Sequence, residues 1–272
     1  ITPDYDKFMK EGSTFLGLEP ATDLFEAINN LLIFYKHVPS ITNFPVYIGN
    51  LDYLLDPFIE DEVVAKKLIK LFLINIDRTI TDSFCHANLG PLATKAGYLI
   101  LEVIQELNNP TPNFTLKVSA ETDKDFLAKS IAASLEVVKP ALANDAMFRK
   151  DFKGEYAIAS CYNGLKIGGG GYTLTRLRLN RIAKKATSLE DFYTLLEDVV
   201  YENLIQMDRR IAYIVEEALF FETNFLATEG FIEREKFTGM FGIVGLAECV
   251  NELSDERFGH SDKADKLGVE IL

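Results

Sequence analysis

The sequence contains no tryptophan and few residues suited to metal binding or covalent cross-linking. Its three cysteines, Cys85, Cys161 and Cys249, are odd in number and far apart, and it has only three histidines. A disulfide framework needs paired cysteines in an oxidising compartment, so this usage indicates reduced thiols and a cytoplasmic protein. No metal site is predicted, because no Cys-x-x-Cys pair is present and the adjacent Cys85 and His86 would need further ligands to hold zinc.

Long apolar runs and an excess of positive charge are also missing. The longest apolar run, Gly239 to Ala247, has nine residues even with its glycines counted, whereas a membrane-spanning helix needs roughly 18. Lys and Arg number 28 against 41 Asp and Glu, which gives a net charge of −13. General binding to a nucleic-acid backbone, or a polybasic contact with a membrane, requires the opposite balance. The composition therefore predicts a globular protein that binds neither nucleic acid nor a membrane.

The apolar residues that are present follow an α/β pattern. They make up 48% of the chain, enough for a large core, and we expect residues 1–272 to form a single domain. Short apolar runs closed by Gly, Pro or Ser predict strands at 44–49, 115–119, 156–160 and 172–179. Stretches with apolar residues on one face predict helices at 22–38, 60–78, 91–107, 123–138 and across about 188–227. The alternation is typical of a helix-rich α/β fold.

The most unusual stretch lies between the third and fourth predicted strands. It carries Cys161, followed by four consecutive glycines, Gly168 to Gly171, which allow close approach of a ligand or another chain. The glycines do not form a Walker A loop, because no Gly-Lys-Ser/Thr follows them. They do not form a dinucleotide fingerprint either, because a strand comes next and not a helix. On composition alone, a buried cysteine beside a mobile hairpin loop is the simpler interpretation.

Ordered motifs along the chain nevertheless resemble those of glycyl radical enzymes. Ser160-Cys-Tyr-Asn-Gly164, with the glycine-rich loop and the strand that follows it, resembles the cysteine-loop region of this superfamily. The resemblance is closest to the YjjI-type family and more distant to the anaerobic ribonucleotide reductases and pyruvate formate-lyase. Further matching stretches occur in a consistent order at 44–52, 81–91, 112–117 and 238–248.

The resemblance implies a fold and a mechanism. Members of the superfamily form a ten-stranded α/β barrel of two half-barrels, in which a cysteine loop between two strands meets a glycine-radical loop. Cys161 matches the cysteine that becomes a thiyl radical and abstracts hydrogen from a small organic substrate under anaerobic conditions. No bound cofactor is implied for this chain. The glycyl radical is installed by a radical S-adenosylmethionine activating enzyme, which is the implied partner.

The chain departs from the family pattern in lacking a radical glycine. The family places it in a C-terminal motif of the Arg-Val-x-Gly-Tyr kind, which this sequence does not contain. We therefore expect a fragment, a partial barrel that lacks N- and C-terminal parts of its parent protein and is inactive alone. We also expect an exposed apolar edge where the missing half belongs, so a homo-oligomer is among the expectations.

Three further side chains are candidate substrate contacts. Asn163 takes the place of the Glu that glycyl radical dehydratases carry two residues after the cysteine. Because an amide cannot take a proton, Asn163 is expected to orient substrate by hydrogen bonding. The base would then be His86 or Glu121, of which Glu121 follows a predicted strand end, where α/β folds bind ligands. The simpler interpretations are that His86 is a structural histidine and that Glu121 is a solvated carboxylate. The same two interpretations, a ligand contact or a solvated carboxylate, apply to Asp52.

The sequence also allows a second hypothesis, in which the protein is not an enzyme. The chain could be a non-catalytic α/β binding or scaffolding protein in which residues 161–171 form a flexible glycine-rich loop for a partner. The two hypotheses differ in one expectation: a glycyl radical enzyme fragment predicts a parent open reading frame that continues past Leu272 to a motif of the Arg-Val-x-Gly-Tyr kind.

Overall fold

The computed structural model describes residues 1–79 and 84–272, so Thr81, Asp82 and Ser83 of the motif at 81–91 lie outside the described residues. Contacts between Cα atoms divide the chain into two compact units, residues 1–170 with 221–237 and residues 171–220 with 238–272. Within the described ranges, no helix is both long enough and apolar enough to cross a membrane.

Strands and helices alternate through the first two thirds of the chain. The strands are β1 (Val46–Asn50), β2 (Cys85–Leu89), β3 (Asn113–Val118), β4 (Ala141–Asn144), β5 (Tyr156–Ile158), β6 (Gly164–Lys166), β7 (Gly170–Arg178) and β8 (Phe237–Val244). The helices are α1 (Tyr5–Glu11), α2 (Leu24–Ile41), α3 (Leu51–Leu55), α4 (Glu62–Thr79), α5 (Lys95–Leu107), α6 (Lys124–Val137), α7 (Asp145–Phe152), α8 (Leu179–Ala183), α9 (Leu189–Ala212), α10 (Phe220–Thr223), α11 (Phe225–Thr228), α12 (Leu246–Leu253) and α13 (Asp262–Ile271).

The first unit is built on a parallel four-stranded sheet in the order β1-β2-β3-β4. The helices α4, α5 and α6 connect consecutive strands, and α5 packs against both of the others. Crossovers between parallel strands are almost always right-handed. Because the strands follow one another in space in the same order as in the chain, the helices that connect them all lie on the same side of the sheet. One face is thereby covered by helices, and the other face is left for different elements.

The face of the sheet that meets the helices is apolar. Cys85, Ala87 and Leu89 alternate along β2 and are fully buried, and Cys85 lies beside Tyr35 of α2. Side chains in a strand point to opposite faces in turn, so the residues between them point away from the helical layer.

The opposite face is polar yet buried. It carries His86 and Asn88 from β2, and Thr115 and Lys117 from β3, with Asn88 in register with Thr115. These four side chains belong to residues that are no more than 7% exposed. A polar sheet face removed from water needs partners for its hydrogen-bonding groups, and the next elements of the chain supply them.

The second unit combines the pair β7 and β8 with α8, α9, α12 and α13. Its core contains Leu177, Leu179, Phe192 and Cys249, all of them buried. Leu177 and Leu179 point inward, whereas Arg176 and Arg178 alternate with them and are exposed. The core position of Cys249 agrees with the apolar spacing around it.

Some local predictions are corrected by the structure. Helix α2 does not end at Pro39 but continues to Ile41, because proline in the last turn disrupts little of the hydrogen-bonding ladder. Residues Cys85–Leu89, where the sequence predicted no strand, form the inner strand β2. Small and polar residues form a strand there because both faces of the sheet are covered.

Candidate cysteine-loop site

Cys161 lies at the tip of a short antiparallel hairpin formed by β5 and β6. The Tyr162 N–H donates to the Ala159 carbonyl at 2.9 Å, and the Ala159 N–H donates to the Asn163 carbonyl at 3.0 Å. Tyr162 has a φ of 63°, the left-handed conformation that lets so tight a turn close. The turn leaves Cys161 exposed, as the loop between two strands requires if its thiol is to react.

The hairpin is fixed to the polar face of the sheet by buried side chains. Asn88 Nδ2 donates to the Ile158 carbonyl at 2.7 Å, and the Ile158 N–H donates to Asn88 Oδ1 at 2.9 Å. Lys117 Nζ donates to Asn50 Oδ1 and to the Tyr156 carbonyl, both at 2.6 Å, and lies 4.2 Å from the Tyr156 ring centroid. Burial lowers the pKa of Lys117 to about 8. One amide and one ammonium group thus replace the backbone pairing that a neighbouring strand would provide.

The tip of the hairpin lies near Tyr47 and His86. Tyr47 packs with Ala157 and Ala159 of the hairpin, and its ring centroid is 5.2 Å from that of His86. Burial raises the pKa of Tyr47 to about 12, and the neighbouring Cys161 acts in the same direction.

His86 is held neutral at physiological pH. Burial is the main cause that lowers its pKa to about 4, because the imidazolium form loses its hydration. Its Nδ1 atom is buried and has no hydrogen-bond partner among the described residues. His86 therefore offers an unused hydrogen-bonding group close to the hairpin tip.

Asn163 lies next to the sulfur, and Glu121 does not. Asn163 Nδ2 is 3.4 Å from Cys161 Sγ in donor geometry. Glu121 is exposed in the turn after β3, whereas His86 pairs with Asn113 at the other end of that strand. His86 therefore lies beside the start of β3, and Glu121 lies beyond its end. At about 3.3 Å per residue, the strand between them is roughly 16 Å long.

The consecutive glycines are packed and hydrogen-bonded, which corrects the mobile loop expected from composition. Gly168, Gly169 and Gly170 are buried. The Gly168 N–H donates to the Thr2 carbonyl at 2.7 Å, and the Thr2 N–H donates to the Gly169 carbonyl at 2.9 Å. A Cβ atom on Gly169 would lie 2.4 Å from the Lys236 carbonyl oxygen. Glycine is required there by the close approach of another backbone segment.

Asp52 is a buried carboxylate, not the solvated one that the sequence favoured. Its Oδ2 accepts the Gly90 N–H at 2.8 Å, while its Oδ1 has no partner among the described residues. Burial raises the pKa of Asp52 to about 7. No group of three or more His, Cys, Asp or Glu residues suited to a metal ion occurs in the described part of the chain.

Sequence reasoning missed the side chains that dock the hairpin, Asn88, Lys117 and Tyr47. A signal was present in β2, where His86 and Asn88 alternate with small apolar residues, the pattern of a strand with one polar face. Its turn-like composition hid that pattern. Lys117 falls within a predicted strand, but nothing in the sequence alone shows that its ammonium group is buried.

Comparison with protein families gives a match over the whole chain. The family model described as glycyl radical enzyme YjjI-like matches residues 1–272. An uncharacterized Haemophilus influenzae protein is 49% identical over 279 residues, covering 100% of this chain and 54% of the relative. Escherichia coli YjjI is 41% identical over 283 residues with the same coverage. The chain thus spans about half the length of these curated relatives.

Solved structures show the same fold at low sequence identity. The anaerobic ribonucleotide reductase of Thermotoga maritima, with citrate in its active site, matches with a TM-score of 0.78 and 12% identity, over 100% of this chain and 60% of that one. The glycerol-bound B12-independent glycerol dehydratase of Clostridium butyricum matches with a TM-score of 0.69 and 15% identity, over 84% of this chain and 38% of that one. The predicted α/β fold is confirmed as part of a glycyl radical enzyme barrel. With the family match over its entire length, the chain belongs to the YjjI-like family of glycyl radical enzymes.

Proposed function

We propose that this chain supplies the thiyl-radical cysteine of a glycyl radical enzyme and that Cys161 is that cysteine. The observation that carries the proposal is the placement of Cys161 at the exposed tip of a hairpin docked on the polar face of the sheet. Cys85 and Cys249 are each 0% exposed, so neither thiol can meet a substrate or another loop. Among the three cysteines, Cys161 alone has both access and a rigid support.

The proposed reaction is an exchange of hydrogen atoms. A glycyl radical, supplied from outside this chain and installed by a radical S-adenosylmethionine activase, provides an acceptor for one hydrogen atom. Cys161 loses its S–H hydrogen to that glycine, where a C–H bond re-forms. The sulfur radical then takes a hydrogen atom from a substrate C–H bond and becomes a thiol again. Because S–H and activated C–H bonds are similar in strength, both exchanges can run in either direction.

The neighbouring side chains have distinct proposed roles. Asn163 donates toward the sulfur, which favours a rotamer of Cys161 in which the S–H bond points away from the amide. It also remains the candidate to orient a substrate hydroxyl or carbonyl. Of the two proposed bases, the position of His86 beside the hairpin tip favours it over Glu121. A neutral imidazole with a free Nδ1 is suited to hydrogen-bonding a small organic substrate.

The packed glycine segment does not support the hypothesis of a non-catalytic scaffolding protein. That hypothesis depends on an accessible, flexible loop at residues 161–171, whereas Gly168 to Gly170 are buried. A partner would have to displace the Thr2 hydrogen bonds to reach them.

The proposal is tested in the full-length protein, activated anaerobically. The wild type is screened by mass spectrometry against small alcohols, carboxylates and amino acids for a consumed substrate. We expect Cys161→Ala to form the glycyl radical normally, seen by electron paramagnetic resonance, but to lose turnover of that substrate. Cys249→Ala is the matched control and keeps both. Turnover that survives in Cys161→Ala would show that another group performs the abstraction.

A further inference from the structure

A cavity of about 650 Å³ lies at the base of the cysteine hairpin, at the end remote from Cys161. Its wall includes Tyr156 and Lys166, which pair with each other across the hairpin base. Asn50 at the carboxyl end of β1 and Tyr53 in α3 also contribute. The volume is within the range of small-molecule sites, and the carboxyl end of a parallel strand is where α/β folds bind ligands.

The acidic side chains on the cavity wall already have partners. Asp6 pairs with Lys10 at 2.5 Å, and Glu155 pairs with Arg149 at 2.9 Å. Asp4 accepts a backbone N–H at the start of α1. Asp6 and Glu155 are thus engaged in ion pairs, and Arg149 also pairs with Asp145 at 2.8 Å.

Two lysines on the same wall are not compensated. Lys153 and Lys166 have no acidic partner within 4 Å in the described part of the chain. The Tyr53 hydroxyl accepts the Leu92 N–H at 2.9 Å, which leaves its own hydrogen free to donate. Behind the wall, Lys117 adds a buried ammonium group bonded to Asn50 and Tyr156. In a chain with a net charge of −13, this is a local concentration of unpaired cations and donors.

Apolar surface lies beside these groups. The rings of Phe152 and Tyr156 stack with centroids 6.0 Å apart, and Ile48 and Leu54 complete the apolar part of the wall. A site of this kind binds a molecule that has an acid group at one end and an apolar body at the other.

We propose that this cavity binds a small organic anion, a carboxylate or a phosphate ester with an apolar body. Lys153 and Lys166 neutralise its acid group, the Tyr53 hydroxyl donates to it, and the rings of Phe152 and Tyr156 contact the apolar part. The site is separate from Cys161, which is not among the described residues that line the cavity. A ligand there touches both strands of the hairpin base, so it bears directly on the element that carries the cysteine.

The test is a binding measurement on the full-length protein without activation, so that its result is independent of the radical chemistry. Calorimetric titrations use phenyl phosphate, benzoate and, as the neutral analogue, benzyl alcohol. We expect at least one of the two anions to bind at least about tenfold more tightly than benzyl alcohol, since hydrogen bonds to a charged acid group are stronger than those to a neutral hydroxyl. The stronger of the two anions identifies the acid group for which the site is built.

Matched variants locate the binding. Lys166→Gln is expected to weaken the anion about tenfold, the double variant Lys153→Gln/Lys166→Gln to abolish binding, and Lys166→Arg to retain it. Lys185→Gln, an exposed lysine outside the cavity, leaves binding unchanged. Absence of anion binding, equal binding of benzyl alcohol, or equal losses in Lys185→Gln and Lys166→Gln would each overturn the proposal.

Discussion

The side chains that lie near the exposed Cys161 form hydrogen bonds without carrying charge. Asn163 donates toward its sulfur, and His86 lies neutral beside Tyr47. Hydrogen-atom transfer moves no net charge, so a neutral surrounding stabilises the thiol and the sulfur radical equally.

Substitution of Asn163 tests whether a neutral hydrogen-bond donor is needed beside the Cys161 sulfur. Asn163→Ala removes the exposed amide that donates toward the sulfur. An ordinary hydrogen bond contributes about 0.5–1.5 kcal/mol, so turnover should fall about two- to tenfold. Asn163→Asp cannot donate to the sulfur and adds charge, so it should be at least as harmful. Both are assayed as kcat in the activated full-length enzyme. If Asn163→Asp gained activity, the position would need a carboxylate, and an elimination mechanism would return.

Asp52 makes a pH-dependent contribution to stability. Its pKa is about 7 in the folded protein against an ordinary 3.8, so the folded state holds the proton more tightly than the unfolded state. The free energy of unfolding of the wild type therefore falls as the pH rises from about 4 through 7. Asp52→Asn cannot ionise, so it does not lose this stability, which amounts to about 2–4 kcal/mol at pH 8.

The measurement is the unfolding temperature of both proteins at pH 4.5 and pH 8. We expect similar values at the lower pH and a variant several degrees more stable at the higher pH. Asp151→Asn, at an exposed position in α7, is the control and shows no such divergence. If Asp52→Asn unfolded at a lower temperature than the wild type at pH 8, the folded protein would instead stabilise Asp52 as a carboxylate.

At the scale of elements, the hairpin is joined to the sheet through few contacts. Asn88 satisfies both backbone groups of Ile158, and Lys117 holds the Tyr156 carbonyl. Such docking fixes the position of the tip without extending the parallel sheet. It also makes the register of the cysteine depend on two side chains from neighbouring strands.

Removal of the Asn88 amide should loosen the hairpin specifically. Asn88→Ala leaves the buried Ile158 N–H and carbonyl unpaired, at a cost of about 2–4 kcal/mol. Hydrogen exchange at residues 156–166 should then accelerate by roughly thirty- to a thousandfold. Thr115→Val is the matched control in the next strand, because the Thr115 hydroxyl is buried without a partner among the described residues. Equal acceleration in both variants would show that the effect is not specific to the Asn88 bonds.

Sequence patterns predicted the main helices and the strands β1, β3, β5 and β7, since these have regular apolar spacing between Gly and Pro residues. They did not predict β2, whose residues have turn-like composition and become a strand through burial on both faces. The cysteine loop between two strands followed from the family resemblance, whereas composition alone favoured a buried cysteine and Cys161 is exposed. Its docking by Asn88 and Lys117 could not be predicted, because it depends on which strands become neighbours in the folded sheet.

At the scale of the whole molecule, the chain covers 54% of the length of its curated relatives and contains Cys161 but no motif of the Arg-Val-x-Gly-Tyr kind. The central claim is that Cys161 exchanges hydrogen atoms with a glycine supplied elsewhere in the protein. This claim can be tested without a known substrate. A thiol hydrogen exchanges with solvent, so in D2O the sulfur would deliver deuterium to the glycine carbon.

The most direct measurement is therefore the electron paramagnetic resonance spectrum of the activated full-length protein in H2O and in D2O. The single α-hydrogen of a glycyl radical splits its signal into a doublet. We expect this doublet to collapse in D2O in the wild type and in Cys249→Ala, and to persist in Cys161→Ala. A doublet that persists in the wild type, or that collapses at the wild-type rate in Cys161→Ala, would contradict the assignment of Cys161 as the radical cysteine.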